Sequence, residues 1–418
     1  MTAAPAAPAA PPDTDFGLAL IGCGGFGSYV LDAVRDIPGL RVVVCADAER
    51  DRAAALAARC GPTVVVRKTV GEAVSVPGVD VVVLATPPVA HADAAVTALR
   101  AGKHVFCEKP IALTLEGAAH VAAEADRAPG VFVVDHVLRY NPILRLLQRL
   151  GGEGLLDALR RFSFENDASD EDLGPDHWFW DPARSGGIHI EHGVHFFDAA
   201  SALMGSVPVE VQGTAVRRDG GPVDIVVATA THPGGGVATH THSFTHAHRA
   251  ERQLMRLDYG FAEARVTGWI PTFATITAWT DDAGAARWER LPDRAADLLT
   301  VPGLRPHGHE RITVAVTRGA GSDRPASGRG VTRTVPHRVD CVIDLGGEPR
   351  KPYVYAESVR AAMTDLLHCA VHGTAPVADA RAGLAAVAVA EAATRSAQTG
   401  GRALPVTAPT TGTVGGAD

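Results

Sequence analysis

Nowhere does this 418-residue chain stay apolar for the roughly 18 consecutive residues that a membrane-spanning helix requires. A transmembrane span is therefore not expected. Cysteine is sparse: Cys23, Cys45, Cys60, Cys107, Cys341 and Cys369 lie far apart, with no C-x-x-C pair. That spacing speaks against a disulfide framework and suits reduced thiols in a cytoplasmic protein. Excess positive charge is missing too. With 39 Lys and Arg against 47 Asp and Glu the formal net charge is -8, which argues against a nucleic-acid partner. The opening MTAAPAAPAAPPDTD has neither the basic start nor the apolar centre of a secretion signal. Residues 1–14 are expected to be a disordered tail, and 406–418 a flexible one. What is present is an ordinary globular balance of 46% hydrophobic and 21% charged residues. It supplies a sizeable core, and the length suits two domains.

The stretch FGLALIGCGGFGSYVLDAVRDIPGLRVVVCAD begins with an apolar strand, Leu18–Ile21, and turns at once through glycine. Gly22, Gly24 and Gly27 spell G-x-G-x-x-G, and Val30, Leu31 and Val34 then share one face of a helix. Residues without a Cβ let backbone N–H groups approach a pyrophosphate, and the helix start adds partial positive charge. Gly25 and Phe26 stand inside the same turn. The second strand ends on Asp47, whose carboxylate can accept hydrogen bonds from the adenosine ribose and would repel the extra phosphate of NADP. NAD is the expected cofactor, with Arg50 and Arg52 keeping NADP open. The chain continues through VDVVVLATPP, HADAAVTALRAG and KHVFCEKP. Alternating strands and helices of this kind build a parallel, doubly wound sheet. Its ligands lie across the carboxyl ends of the strands, and Thr86, Pro87, His91, Glu108 and Lys109 fall there.

SGGIHIEHGVHFFD, residues 185–198, crowds His189, Glu191, His192 and His195 into seven positions. Glu191 and His195 are four apart, one turn from each other on a helix. A carboxylate so placed can hold an imidazole's tautomer and stabilise its protonated form. His192 and His195 have a chelating spacing, but the stretch is not H-E-x-x-H, and no cysteine or second acidic cluster completes a ligand set. The stretch alone leaves proton handling and a structural helix open, and no metal is expected. His189 and His192 stand between pocket and structural roles. A second group, His240, His242, His246 and His248 in THTHSFTHAHRAER, alternates with period two. It reads as the polar face of a strand, turned to the cleft or a subunit interface. Trp178 and Trp180 in HWFWDPARSGG have aromatic faces that stack on a substrate or pack in a core.

LATPPVAHADAAVTALRAGKHVFCEKPIALT closely resembles the Gfo/Idh/MocA oxidoreductase family. The resemblance extends through VDHVLRYNP at 134–142 and the stretch at 185–198, and resumes in ADARAGLAAVAVAEAATRSAQTGGRALPV. Residues 272–350 are the least recognisable. The likeness implies a Rossmann domain over 15–138 and an α/β domain over 139–405 on an open, mainly antiparallel sheet, with substrate between them. It implies that Lys109 of E-K-P sits beside the nicotinamide and the substrate hydroxyl. The family's G-G-x-x-x-D-x-G-x-H places its histidine on His195 and its aspartate on Glu191. Its basic position after E-K-P, often a substrate contact, falls on Arg139. Glutamate reaches one methylene further than aspartate, so the substrate of the inositol dehydrogenase relatives is not carried over.

The reaction the resemblance implies is reversible hydride transfer between nicotinamide and a secondary alcohol or ketone of a sugar, cyclitol or sugar-derived intermediate. His195 would take the hydroxyl proton, Lys109 would stabilise the oxygen, and Glu191 would orient His195 or bind a neighbouring hydroxyl. Arg139, His192 and Trp178 are the substrate-binding candidates. The alternatives are an NAD-assisted, redox-neutral epimerase or eliminase, an NADPH-dependent imine or ketone reductase, and a non-enzymatic dinucleotide-binding sensor. Further along, VEVQGTAVR, DIVVATATH, GVATHTHSFTH, ERITVAVT and RVDCVIDL read as strands. RGAGSDRPASGRG reads as a flexible hairpin or disordered loop, and two helices close the chain. A broad open sheet needs cover, so a homodimer or homotetramer through it is expected.

Overall fold

The computed structural model describes residues 15–299 and 313–407. The tail expected at 1–14 lies outside the described residues, as do 408–418 and the first three residues, 310–312, of ERITVAVT. The apolar runs of the first third form β1 (Phe16–Ile21), β2 (Leu40–Ala46), β3 (Val65–Arg67), β4 (Val81–Leu84), β5 (His104–Cys107) and β6 (Phe132–Val134). All pair in parallel, in the order β3-β2-β1-β4-β5-β6. β1 and β4 are buried almost throughout, which is why they read as unbroken apolar runs rather than alternating ones. Chain direction across the sheet reverses between β1 and β4, and the loops leaving those two strands open a crevice at their carboxyl ends.

The second sheet has ten strands: β7 (Arg161–Ser169), β8 (Glu210–Arg217), β9 (Val223–His232), β10 (Gly236–His246), β11 (Arg252–Asp258), β12 (Ala262–Thr267), β13 (Phe273–Thr280), β14 (Thr313–Gly328), β15 (Val331–Asp344) and β16 (Leu404–Pro405). The order is β14-β15-β13-β12-β11-β7-β10-β9-β8-β16, antiparallel except for the β7/β10 pair. β12 shows the logic of a half-covered sheet, burying Ala262, Ala264 and Val266 while Glu263, Arg265 and Thr267 face outward. The covered face lies under the helices Val194–Met204 and Ala380–Gln398. Ala380–Gln398 also packs on Leu115–Arg127, and Lys351–His372 packs on the first helix, Gly25–Val34, so the two closing helices tie the sheets together. Among the described residues no helix is long and apolar enough to cross a membrane.

RGAGSDRPASGRG is strand rather than loop for most of its length. β14 runs on to Gly328, Arg329 and Gly330 turn the chain with φ of 51° and 80°, and β15 returns. Its glycines and charged residues carry no alternation that marks a strand. Partners at the end of the sheet hold it instead. Arg329 donates to the Gly235 carbonyl at 3.2 Å, Arg333 makes two bonds of 2.8 Å to Asp157, and the Arg333 guanidinium lies 4.7 Å from the Phe261 ring centre. Two helices, Asp282–Glu289 and Leu291–Leu299, precede the hairpin and bury Trp288.

Candidate active site

The glycine turn is shaped by close approach. At Gly22 (φ 94°) a Cβ would stand 2.5 Å from the Ala85 carbonyl oxygen, and at Gly27 it would overlap the Gly22 carbonyl. The space beside Gly24 and Gly25 is open. No side chain caps the helix Gly25–Val34 and its first turn holds no acid, so its leading amides remain for an anionic ligand. Asp47, just past β2, accepts the Cys23 N–H at 2.7 Å and the Glu49 N–H at 2.8 Å. Each carboxylate oxygen keeps capacity for a further donor.

A cleft of about 970 Å³ runs from this turn toward the second sheet. Gly22, Gly24, Gly25, Phe26 and Asp47 line its first part, followed by Thr86, Pro87, His91 and Glu108. Gly27 lies beneath the turn rather than on the wall. His91 is buried, with its ring nitrogens 2.7 Å from the Pro110 and Thr86 carbonyls, so it clamps two loops to each other. Thr86 Oγ1 and Glu108 Oε1 are buried without a protein partner. Open glycine backbone, an uncapped helix start, an acid after β2 and unpartnered polar atoms in one cleft fit NAD.

The other end of the cleft is lined by Lys109, Glu191, His192, His195 and Trp178. Lys109 Nζ donates to Glu191 Oε1 at 2.7 Å and to the Glu191 carbonyl at 2.8 Å. Burial alone would raise the Glu191 carboxyl, but the Lys109 ammonium, with His192, more than offsets it and holds the group below the usual carboxylate range. The carboxylate thus serves Lys109, where sequence spacing suggests His195. A charge-assisted bond to an ammonium is stronger than one to a neutral imidazole. Locally, His189–Gly193 forms a π-helical turn that runs into the helix Val194–Met204, and π turns are frequent at functional sites. His195 begins that helix, 5% exposed, with Nδ1 unpartnered. Burial first, then Lys109 and the neighbouring histidines, pushes it well below its ordinary value. It is neutral at neutral pH, the state a general base requires.

The two histidine clusters meet in space. β10 turns His240 and His242 inward, not to a polar outer face. The His242 ring lies 5.2 Å from His192 and His240 lies 4.6 Å from Phe197, both edge-on. Burial pushes His136, His189 and His192 down to about 4 and His240 to about 3. Each takes up a proton near its ordinary value of about 6.5 when unfolded but resists it when folded. Stability from these groups is complete above about pH 6.5 and is lost as pH falls toward 4. Melting curves should show Tm falling through that window, less steeply in His240→Phe. A Tm that stays level between pH 7 and 5 would contradict this account. Among the described residues no three His, Cys, Asp or Glu side chains are grouped to hold a metal ion.

Arg139 lies elsewhere. Its Nε and one terminal nitrogen hold Asp198 at 2.7 to 3.0 Å, and its other terminal nitrogen donates to the Val377 carbonyl at 2.7 Å. It is not among the cleft-lining residues. Three residues that do line the cleft carry no sequence signal: Trp269, between β12 and β13, Tyr355, from the helix Lys351–His372, and Lys68, just after β3. Trp269 packs against Tyr355 at 5.2 Å and against His195 at 6.1 Å between ring centres. Only packing of distant segments assembles that wall.

Comparison with known proteins accords with this geometry. The profile described as "Oxidoreductase family, NAD-binding Rossmann fold" matches residues 16–136, and "GFO/IDH/MocA C-terminal domain" matches 145–259. A 2,7-anhydro-N-acetylneuraminate hydratase from Mediterraneibacter gnavus is 27% identical over 198 residues, 47% of this chain and 52% of that protein. An inositol 2-dehydrogenase from Rhizobium meliloti is 30% identical over 196 residues, 47% of this chain and 57% of that protein. The chain thus spans about half the length of the curated relatives it matches. In fold, an oxidoreductase domain protein from Kribbella flavida superposes with a TM-score of 0.72 at 20% identity, over 94% of this chain and 100% of that one. The two profile matches together cover more than half of the sequence, and the chain belongs to the Gfo/Idh/MocA oxidoreductase family.

Proposed function

We propose that this chain is an NAD-dependent dehydrogenase or reductase acting on a CH–OH group of a sugar, cyclitol or sugar-derived intermediate. Residues 15–138 hold the dinucleotide and 139–405 the substrate. One observation carries this reading: an ion-paired Lys109 and a burial-neutralised His195 line the same cleft as the glycine turn. The bound nicotinamide supplies the hydride acceptor or donor. In the oxidative direction His195 accepts the hydroxyl proton, while Lys109 donates a hydrogen bond to the same oxygen and stabilises its developing charge. Glu191 holds Lys109 in place through their 2.7 Å ion pair. In reverse, a protonated His195 returns the proton to the ketone oxygen. Trp178 and Trp269 offer flat apolar faces to the C–H side of a ring. We place the protein in the cytoplasm, as a homodimer or homotetramer joined through the ten-stranded sheet.

The test is a fluorescence titration of cofactor-stripped protein with NADH and NADPH side by side, followed by polyols and sugars with NAD. NADH should bind more tightly, and Asp47→Ala should weaken it on the order of tenfold through loss of charged hydrogen bonds. Failure to bind either dinucleotide would overturn the reading. A second reading, redox-neutral chemistry in which hydride is removed and returned within one turnover, is favoured by the hydratase name of the Mediterraneibacter gnavus relative. It predicts NAD that co-purifies and substrate conversion without net NADH.

A further inference from the structure

β5 and β6 are parallel neighbours whose register pairs Cys107 with Val134. The next residue on each, Glu108 and Asp135, leaves the sheet beside the other at its carboxyl end, where the Asp135 N–H donates to the Cys107 carbonyl at 2.8 Å. Glu108 is 6% exposed and lines the cleft, and Asp135 is 1% exposed. Glu108 Oε1 and Asp135 Oδ1 are both buried without a partner. The titratable groups facing the pair are Lys109 on the same turn, Cys107 on β5, Tyr29 from the helix Gly25–Val34, Tyr140 after β6 and Tyr355 from the helix Lys351–His372. His136, next along the chain, is turned to Asp198 at 3.8 Å. Lys109 is the cation of this set, and Glu191 already engages it. Two neighbouring carboxyls that are desolvated and like-charged do not both ionise readily. Burial, with the other carboxyl, pushes Glu108 well up, and burial pushes Asp135 up to about 6. Such a pair titrates as a unit.

We propose that Glu108 and Asp135 share one proton beside the reactive end of the cleft, and that this proton is linked to the charge of the nicotinamide. The pair keeps it beside a neutral, reduced ring and releases it to solvent when a cationic, oxidised ring binds, because a nearby positive charge favours the carboxylate. This rests on the hydride-transfer reading above. Oxidation of an alcohol sends hydride to NAD⁺ and the hydroxyl proton to His195. As the ring loses its charge the pair takes that proton up, leaving ketone, NADH and a protonated pair. The net proton of the reaction therefore leaves when NAD⁺ binds and not during the chemical step. Asp135 touches neither ligand and is a positioning residue for charge.

Calorimetric titration of the full chain at pH 7, in phosphate and in Tris, counts protons from the difference in buffer ionisation heat. NAD⁺ should release roughly a half to one proton more than NADH. Asp135→Asn should bring the two counts together while both dinucleotides still bind. Equal counts in the unaltered protein, or a difference that survives Asp135→Asn, would refute the shared proton and leave hydride transfer standing. Absence of binding by both dinucleotides would refute the hydride-transfer reading, and the proposal with it. Equal counts in the unaltered protein refute the proposal even if the variant does not fold.

Discussion

Alanine at Lys109 or at His195 is expected to lower turnover on the order of a hundred- to ten-thousand-fold, the range associated with a lost proton-transfer group or a lost charge-stabilising donor. Dinucleotide binding should change little, because the glycine turn, Asp47 and the first helix lie along the first part of the cleft. The two variants should differ in character. His195→Ala removes the base and leaves the 2.7 Å Lys109–Glu191 pair in place. Lys109→Ala also strips Glu191 of the cation that holds its carboxyl low, so that group should rise and the pH profile should change shape. Lys109→Arg is not a rescue, since a planar fork does not reproduce an ammonium that meets a carboxylate and a backbone carbonyl together. Steady-state rates, with NADH titrations on the same preparations, check these outcomes. Near-normal turnover in both alanine variants would remove the mechanism.

Asp198→Ala is expected to destabilise the fold by about 3–5 kcal/mol, the cost of leaving one partner of a buried ion pair without its counter-charge. Asp198 is 1% exposed and accepts three short bonds from Arg139, whose side chain is 20% exposed. The partial exposure of the guanidinium puts the loss nearer the lower end. Replacing both by apolar residues of similar volume, Arg139→Met with Asp198→Leu, should recover much of it, because no charge is then stranded. Urea unfolding of the three proteins measures this. A loss below about 1 kcal/mol in Asp198→Ala would mean the pair behaves as a surface salt bridge. The same pair explains why the family's basic position faces Asp198 and not the cleft. Both its nitrogen forks and the Val377 carbonyl are matched inside the protein.

The glycine-turn end of the cleft was legible in the sequence because its determinants are local. Gly22, Gly24 and Gly27 sit within one turn, Asp47 directly follows the next strand, and parallel strands buried on both faces leave unbroken apolar runs. At the other end the grouping of Lys109, Glu191 and His195 was legible, but not their pairings. Lys109, Glu191 and His195 line one cleft, yet Glu191 reaches across to Lys109 and not along its helix to His195. The hairpin of β14 and β15 was half legible: its turn falls among glycines, while its arms are held by Asp157, Phe261 and Gly235 far away in sequence.

By itself the amino-acid sequence determined the alternating sheet, the glycine cradle, the cofactor class and the presence of a lysine, a carboxylate and a histidine suited to proton chemistry. Spacing of two, three or four residues fixes which side chains share a face, and that reaches only one element at a time. The tertiary structure decided what depends on contacts between elements. It brought Trp269 and Tyr355 to the wall of the cleft and turned His240 and His242 inward beside His192. It also set Glu108 beside Asp135. Burial of all these groups follows from how the two sheets and the closing helices pack. Burial also sets whether an imidazole is neutral or a carboxyl keeps its proton, because desolvation penalises the charged form.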